Sequence, residues 1–438
     1  MQLKTKDTVI NTFHSAINWN ALLHITMNIS YTAISTIFFY RLTNAHYNIW
    51  ANINSFIYII LLWCDCGFRK AIPLYLPRIE SDKQSLSRFI RFIIISQLII
   101  CSIGMISLGF ILFRLTHSPS FVIYGLLVFL LEAPLVLLQS LYHGKFLNRE
   151  YNGRIISLLM IELFFMSSLF LFLPSTILLH AYFILRITFL ATSNLVTGSK
   201  IAKEYSTNSQ PRSTKEEGGE NKLVLFARHS LTMWSTTTLR SLSERNILVP
   251  LLTFMVGAQA ANVYKLGNDW ALFIQRAIIK SIGTTDISLI AHINHYCNFH
   301  DINNIFQKIM RKVLMLVIPS AFIVFLSFLY QFNSGFSFTF ILFLVLVCSY
   351  LFEILCAPYQ RILEAQRHYK FLFAVHCLYL IIPLLCFLTP LHNLVNILFI
   401  VIGIRALTVL CCLVYARLLY GLTIPWPSVD FAKLKSVT

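Results

Sequence analysis

The sequence predicts an all-α, polytopic membrane protein of about twelve spanning helices, arranged as two related halves of about six helices each. Three observations predict it. Apolar residues make up 57% of the 438-residue chain and charged residues 12%, where a soluble globular domain carries roughly 25% charged residues. The apolar stretches run about 20 residues each, the length of a helix that crosses a hydrocarbon core, and do not show the alternation over about 10 residues that a barrel strand would show. Basic residues crowd onto alternate connections between these stretches. That placement also accounts for the formal charge of +17 without nucleic acid, which is not expected as a partner.

In chain order the predicted spans are 16–40, 46–67, 89–114, 119–142, 154–173, 175–198, 229–262, 268–290, 311–331, 336–358, 371–390 and 394–418. The first follows a polar stretch, Met1 to Asn20, with no short apolar core or small-residue cleavage site, so no cleavable leader is expected. One set of connections carries Lys4 and Lys6; Arg69, Lys70, Arg78, Lys83, Arg88 and Arg91; Lys145, Arg149 and Arg154; Lys200, Lys203, Arg212, Lys215, Lys222 and Arg228; Lys308, Arg311 and Lys312; Arg361, Arg367 and Lys370; and Arg417, Lys433 and Lys435. The other set has only Arg41, Arg114 and Lys265. By the positive-inside rule both termini are cytoplasmic. The segment before the third span, LSRFIRF, reads as an interfacial lead-in.

The polar stretch TNSQPRSTKEEGGENK reads as a mobile linker. It divides the chain into 1–198, 199–227 and a second half with its tail, 228–438. The halves share weak echoes in the same order. Ala133-Pro134 in the fourth span matches Ala357-Pro358 in the tenth, and Arg88 and Arg91 before the third match Lys308 and Arg311 before the ninth. A twofold repeat about a central cavity is the usual plan of secondary transporters.

Arg186, Arg240, Arg245, Arg276, Lys280 and Arg405 fall inside predicted spans. Facing lipid at mid-bilayer, each would cost roughly 2.5–3.5 kcal/mol, so most must face the interior. The acids there are fewer: Glu132, Glu162, Glu244 and Glu353, with Asp269 and Asp286 near the ends of the eighth span. A net cationic interior suits an anionic ligand. The seventh span opens with SLTMWSTTTLRSLSERN, too rich in hydroxyls for lipid, and continues as ILVPLLTFMVGAQAA. Pro250 between them predicts a kink. Arg240 and Glu244, four apart, can pair along one face, while Arg276 and Lys280 place two like charges on one face. A guanidinium fork matches phosphate oxygens bidentately, and an ammonium acts as a point charge.

Each of these residues also has a plainer reading. Arg240 and Arg276 can snorkel to a membrane face, and Arg186, Arg405 and Lys280 can be paired structural charges. Glu132 and Glu353 either bind a coupling H⁺ or Na⁺ or neutralise arginines. Asp65 either pairs with Arg69, four residues on, or gates the contact between halves. No catalytic constellation, P-loop or metal-ligand spacing is present, so neither enzyme activity nor a cofactor is expected. The ten cysteines are scattered and mostly in apolar runs, where they act as small apolar fillers.

FYRLTNAHYNIWANINSF and LLWCDCGFRKAIPLYLP resemble the first two helices of Wzx-type polysaccharide flippases, of the MATE-like multidrug/oligosaccharidyl-lipid/polysaccharide (MOP) exporter superfamily. The resemblance falls on Arg41, His46, Tyr47, Asp65, Gly67, Pro73 and Pro77. SERNILVPLLTFMVGAQAANVYKLGNDW is similar to the family's seventh helix, with Glu244 and Arg245 on its acidic-basic pair and Asn262 where glycine is common. PYQRILEAQRHYKF resembles its loop between helices 10 and 11. The resemblance implies two lobes around a cationic cavity in a bacterial inner membrane. It implies as cargo an undecaprenyl-pyrophosphate-linked oligosaccharide, held at the head group by Arg245, Arg276 and Lys280 with Arg240, Arg186 and Arg405 assisting, the lipid tail staying in the bilayer. A polysaccharide polymerase and a chain-length regulator are the protein partners it suggests. Three rival readings remain, one of them a channel, which needs no repeat of lobes. A drug/cation antiporter of the same fold wants a carboxylate-rich cavity, yet no acid lies between Thr12 and Arg41. A membrane polymerase wants a large outer loop, and the predicted outer loops are short.

Overall fold

The computed structural model describes residues 6–79, 83–145, 147–207, 219–283, 338–365, 368–388 and 394–420, with single positions at 315, 319, 322 and 326. The predicted ninth span, 311–331, therefore lies almost wholly outside the described residues. Among the described residues the secondary structure is entirely helical: α1 Lys6–Arg41, α2 Asn44–Cys64, α3 Phe68–Ile79, α4 Lys83–Thr116, α5 Pro119–Gly144, α6 Asn148–Phe172 and α7 Ser175–Thr207. The second half continues with α8 Gly219–Ser241, α9 Arg245–Met255, α10 Ala258–Gly283, α11 Phe338–Ala365, α12 Tyr369–His376, a 3₁₀ turn Cys377–Leu380, α13 Ile381–Leu388 and α14 Leu394–Tyr420.

Six of these helices contain stretches long and apolar enough to cross a membrane: Leu22–Arg41, Leu86–Thr116, Pro119–Gly144, Asn148–Phe172, Ile177–Ile201 and Leu394–Tyr420. The outer face of α4 explains why a bilayer is needed. Leu98, Ile99, Ile103, Ile106, Phe110 and Phe113 recur at helical spacing and are all exposed, forming an apolar stripe of the kind that faces lipid. α2 is different. It carries Asn48, Asn52, Asn54 and Ser55, and Asn52 and Ser55 are buried. It is an inner helix whose polar face meets the other half.

In the first half α5 packs against α2, α3, α4 and α7, while α6 packs on α1 and α7. Phe38 sits at the centre of an aromatic cluster, edge-on to Trp50, Tyr182 and Phe170 at 4.9, 5.2 and 5.4 Å. In the second half α10 packs on α11, which packs on α14. α1 joins the halves through a long contact with α10.

Several helix boundaries differ from expectation: α7 runs to Thr207 and α8 starts at Gly219, so the ends of the stretch 199–227 predicted as a linker are helical, and two further differences bear on the site. Residues 68–79 were expected in a connection but form α3, whose Ala71, Ile72 and Leu76 are fully buried. The chain turns there because Cys66 and Gly67 adopt left-handed conformations, φ 46° and 78°. Asp65 Oδ1 then accepts the Arg69 backbone N–H at 3.0 Å, capping the new helix. The joint packs directly on α8: Ser230 Oγ donates to the Cys66 carbonyl at 2.5 Å, and a Cβ at Gly67 would strike the Ser230 carbonyl. Gly67→Ala meets both the left-handed penalty, about 1–2 kcal/mol, and that collision. It is expected to cost about 2–3 kcal/mol, measured as earlier unfolding in detergent.

The other difference is at the start of the eighth span. It begins at Ala258, just after Gly257 at φ 112°, and not at 268. Lys265 is therefore two turns inside α10 and buried, where the sequence reading had placed it in an outer loop.

Candidate functional site

α2 runs antiparallel to the broken helix α8–α9 and touches it along its whole length. Asn48 Nδ2 donates to Thr253 Oγ1 at 3.2 Å near one end, Tyr58 OH to Glu244 Oε2 at 3.2 Å in the middle, and Trp234 Nε1 to the Trp63 carbonyl at 2.9 Å at the other end. The break, Leu242 to Glu244, thus lies midway along a helix path between the two halves.

The sequence placed a kink at Pro250, but the helix breaks six residues earlier and Pro250 sits inside α9. The physical reason lies in the hydroxyls. Ser241 Oγ donates to the Thr238 carbonyl at 2.6 Å and Ser243 Oγ to the Arg240 carbonyl at 3.0 Å. The backbone N–H groups of Leu242, Ser243 and Glu244 donate three residues back, tightening the last turn of α8 until it stops. Glu244 then takes an extended conformation as the residue before α9, with no side-chain cap bond.

Basic groups gather around this break. Arg405, buried on α14, donates to the Ser243 carbonyl and lies over the Tyr350 ring at 5.1 Å. That carbonyl lies in the break itself, outside both helices, where a buried acceptor needs a donor. Arg240 pairs with Glu353 of α11, not with Glu244, because the break turns Glu244 toward Tyr58. Arg240 Nη1 also reaches Gln360 at 3.4 Å; Gln360 donates to Glu364 at 3.2 Å, and Glu364 meets Lys70 of the first half at 3.8 Å. Arg245 is the first residue of α9, and Arg276 and Lys280 lie in the last turns of α10; their side chains are outside the described ones.

Arg186 is not part of this group. Buried on α7, it donates to Glu132 Oε1 at 2.8 Å, to Glu162 at 3.0 Å and to the Tyr31 hydroxyl at 2.9 Å. It holds two carboxylates at once, so the Glu132–Glu162–Arg186 triad is formally negative. Asp65 and Arg69 do not meet as side chains in the way their spacing suggested: Asp65 caps α3, while the Arg69 guanidinium donates to Gln139 Oε1 at 3.2 Å.

A second polar cluster, which the sequence reading missed, seals α1 and α2 to α10. Lys265 Nζ meets Asp269 Oδ2 at 2.8 Å and Ser35 Oγ at 3.1 Å and sits over the Trp50 ring at 3.9 Å. Ser35 Oγ also donates to Asp269 Oδ2 at 2.6 Å, and Asn48 Nδ2 to Asn262 Oδ1 at 3.2 Å. The signal was present as spacing: Asn262, Lys265, Asn268 and Asp269 recur on one helical face, where a hydropathy reading sees only polar punctuation.

A scan against protein-family models and a search of curated protein sequences found no match. Solved structures do match in shape. A mutant of the Vibrio cholerae MATE transporter VcmN is similar at 15% identity and TM-score 0.62, covering 94% of this chain and 97% of that one. The outward-facing conformation of a multidrug resistance MATE family transporter of the MOP superfamily is similar at 11% identity and TM-score 0.54, covering 93% and 95%. The chain has the all-α fold of these membrane transporters.

Proposed function

We propose that this chain, built on the MATE transporter fold, is a flippase that moves an undecaprenyl-pyrophosphate-linked oligosaccharide across a bacterial inner membrane by alternating access. The observation that carries this reading is the helix broken at Leu242 to Glu244 with Arg405 and Arg240 beside it and Arg245 starting the next helix. Half-helix N-termini in discontinuous transporter helices point at anionic substrate groups, and a pyrophosphate is such a group. The resemblance of the α2–α3 and α8–α10 sequences to Wzx-type flippases supports the same cargo. In this reading Arg245 holds the head group, with Arg276 and Lys280 on α10 assisting. Arg240 and Arg405 shape the break, and the lipid tail remains in the bilayer. Asp65, Gly67 and Arg69 lie at the joint that meets α8, where a gate between the halves would act. A polysaccharide polymerase and a chain-length regulator would take the product on the far side.

The test is translocation of a labelled lipid-linked glycan in reconstituted vesicles. Arg245→Ala is expected to insert normally and to slow translocation at least about tenfold, one lost charge-assisted contact being worth roughly 1.5–3 kcal/mol. An undiminished rate removes Arg245 from the site, and no translocation by the unaltered protein removes the flippase reading.

One observation favours a second reading, a drug/cation antiporter. The Glu132–Glu162–Arg186 triad carries one carboxylate more than it has bases, Glu162 and Arg186 being buried and Glu132 partly exposed, as a cation-binding lobe would. Uptake of a cationic dye into the same vesicles, driven by an imposed ion gradient, separates the two.

A further inference from the structure

The Lys265 ammonium has three protons to place, and three groups receive them: Asp269 Oδ2 at 2.8 Å, Ser35 Oγ at 3.1 Å and the Trp50 ring, whose centroid is 3.9 Å away. Tyr47 closes the cage, with its ring 5.3 Å from Nζ and its hydroxyl 3.0 Å from Ser35 Oγ. Lys265, Asp269, Ser35, Tyr47 and Trp50 are all buried. Only Asp269 is on the same helix as Lys265. Ser35 belongs to α1, and Tyr47 and Trp50 to α2, so most of the cage is supplied by the other half of the molecule.

We propose that this cage is a cation site whose occupant is the chain's own ammonium group, and that its occupation holds the two halves together where α1 turns into α2. A carboxylate, a hydroxyl and an indole face are the groups that take a desolvated monovalent cation. Here the cation is tethered. When the halves part, Lys265 keeps Asp269, four residues along the same helix, so neither charge is stranded. It gives up Ser35 and the Trp50 face. The ammonium therefore favours the closed arrangement through the cross-half contacts alone, while the intrahelical pair keeps the open arrangement reachable. The inference rests on the alternating-access reading, in that it assigns this seam to the parts that separate.

The experiment uses the full chain in lipid vesicles, with native cysteines replaced and spin labels at positions 40 and 254. Tyr40 and Phe254 are exposed, lie on opposite sides of the seam and are outside the cage. Lys265→Ala is expected to raise the ratio of parted to closed molecules about tenfold, the scale of a desolvated cation–π contact. Methylammonium chloride, which supplies the missing ammonium, is expected to restore the closed population where sodium chloride at equal concentration does not. An unchanged distance distribution in Lys265→Ala overturns the latch. A shift that methylammonium reverses no better than sodium overturns the cation site. Trp50→Leu keeps both charges paired and is expected to part the halves without response to methylammonium. Should Lys265→Ala fail to fold, an unchanged distribution in Trp50→Leu overturns the proposal alone. No substrate enters these measurements, so their failure leaves the flippase reading standing, and failed glycan translocation leaves the latch standing.

Discussion

Arg186→Met is expected to destabilise the folded protein by about 3–5 kcal/mol, the cost of removing one partner of a buried ion pair. The substitution leaves Glu132 and Glu162 facing each other in a part of the bundle where Arg186 is the group within 3.0 Å of both. Methionine fills much of the guanidinium's volume, so lost packing is a small part of the effect and the stranded charge is the large part. The prediction is checked by unfolding in mixed detergent micelles. Its internal control is the triple variant with Glu132→Gln and Glu162→Gln, which removes the like charges and is expected to recover most of the loss. If the triple variant is as unstable as Arg186→Met alone, the triad is held by packing and not by charge.

Glu353→Leu carries an expected loss of similar size in the second half, about 3–5 kcal/mol. It strips Arg240 of its carboxylate while leaving Gln360, at 3.4 Å, as a neutral and distant acceptor. The unpaired guanidinium then sits in the same half as Arg405. Replacing both members, Arg240→Leu with Glu353→Leu, is expected to cost less than Glu353→Leu alone, because a buried pair exchanged for apolar residues is often near neutral. The double-mutant cycle reads the coupling directly in the same unfolding assay. A coupling below about 0.5 kcal/mol, the level found for independent sites, contradicts the pairing.

The sequence made the architecture readable because bilayer thickness acts on length and composition, which need no tertiary information. The predicted fourth and twelfth spans, 119–142 and 394–418, start where α5 and α14 start and fall two residues short of their ends. The burial of Arg186 and Arg405 was also legible, since a base in the middle of an apolar run has to turn inward. Partners were not legible. Arg240 chose Glu353, far away in the chain, over the nearby Glu244, because two serine side chains, Ser241 and Ser243, competing for backbone carbonyls ended the helix between them. Local spacing assumes a continuous helix, and Pro250 drew attention to the wrong place. Lys265 was misplaced for the opposite reason. Hydropathy ends a span at a polar run, but here the polar residues share one face and that face is covered by α1, α2 and α11, as the 2.5 Å contact from Tyr350 to Asn268 illustrates. The side chains expected to hold a head group, Arg245, Arg276 and Lys280, rest on the sequence argument.

The contact between α1–α2 and α10 has a consequence for bioenergetics. Among the described side chains its two buried charges, Lys265 and Asp269, are opposite in sign and travel on one helix, and the contacts between Asn48, Thr253 and Asn262 are between neutral amides and hydroxyls. A displaced unit charge feels about 2.3 kcal/mol for each 100 mV across the membrane, but an ion pair with no net charge that moves as a unit feels almost none. The electrical potential of an energised cell therefore has little grip on this pair. Among the described side chains, the unbalanced groups on which a membrane potential would act include the negative triad around Arg186 and the Arg405 guanidinium beside the broken helix.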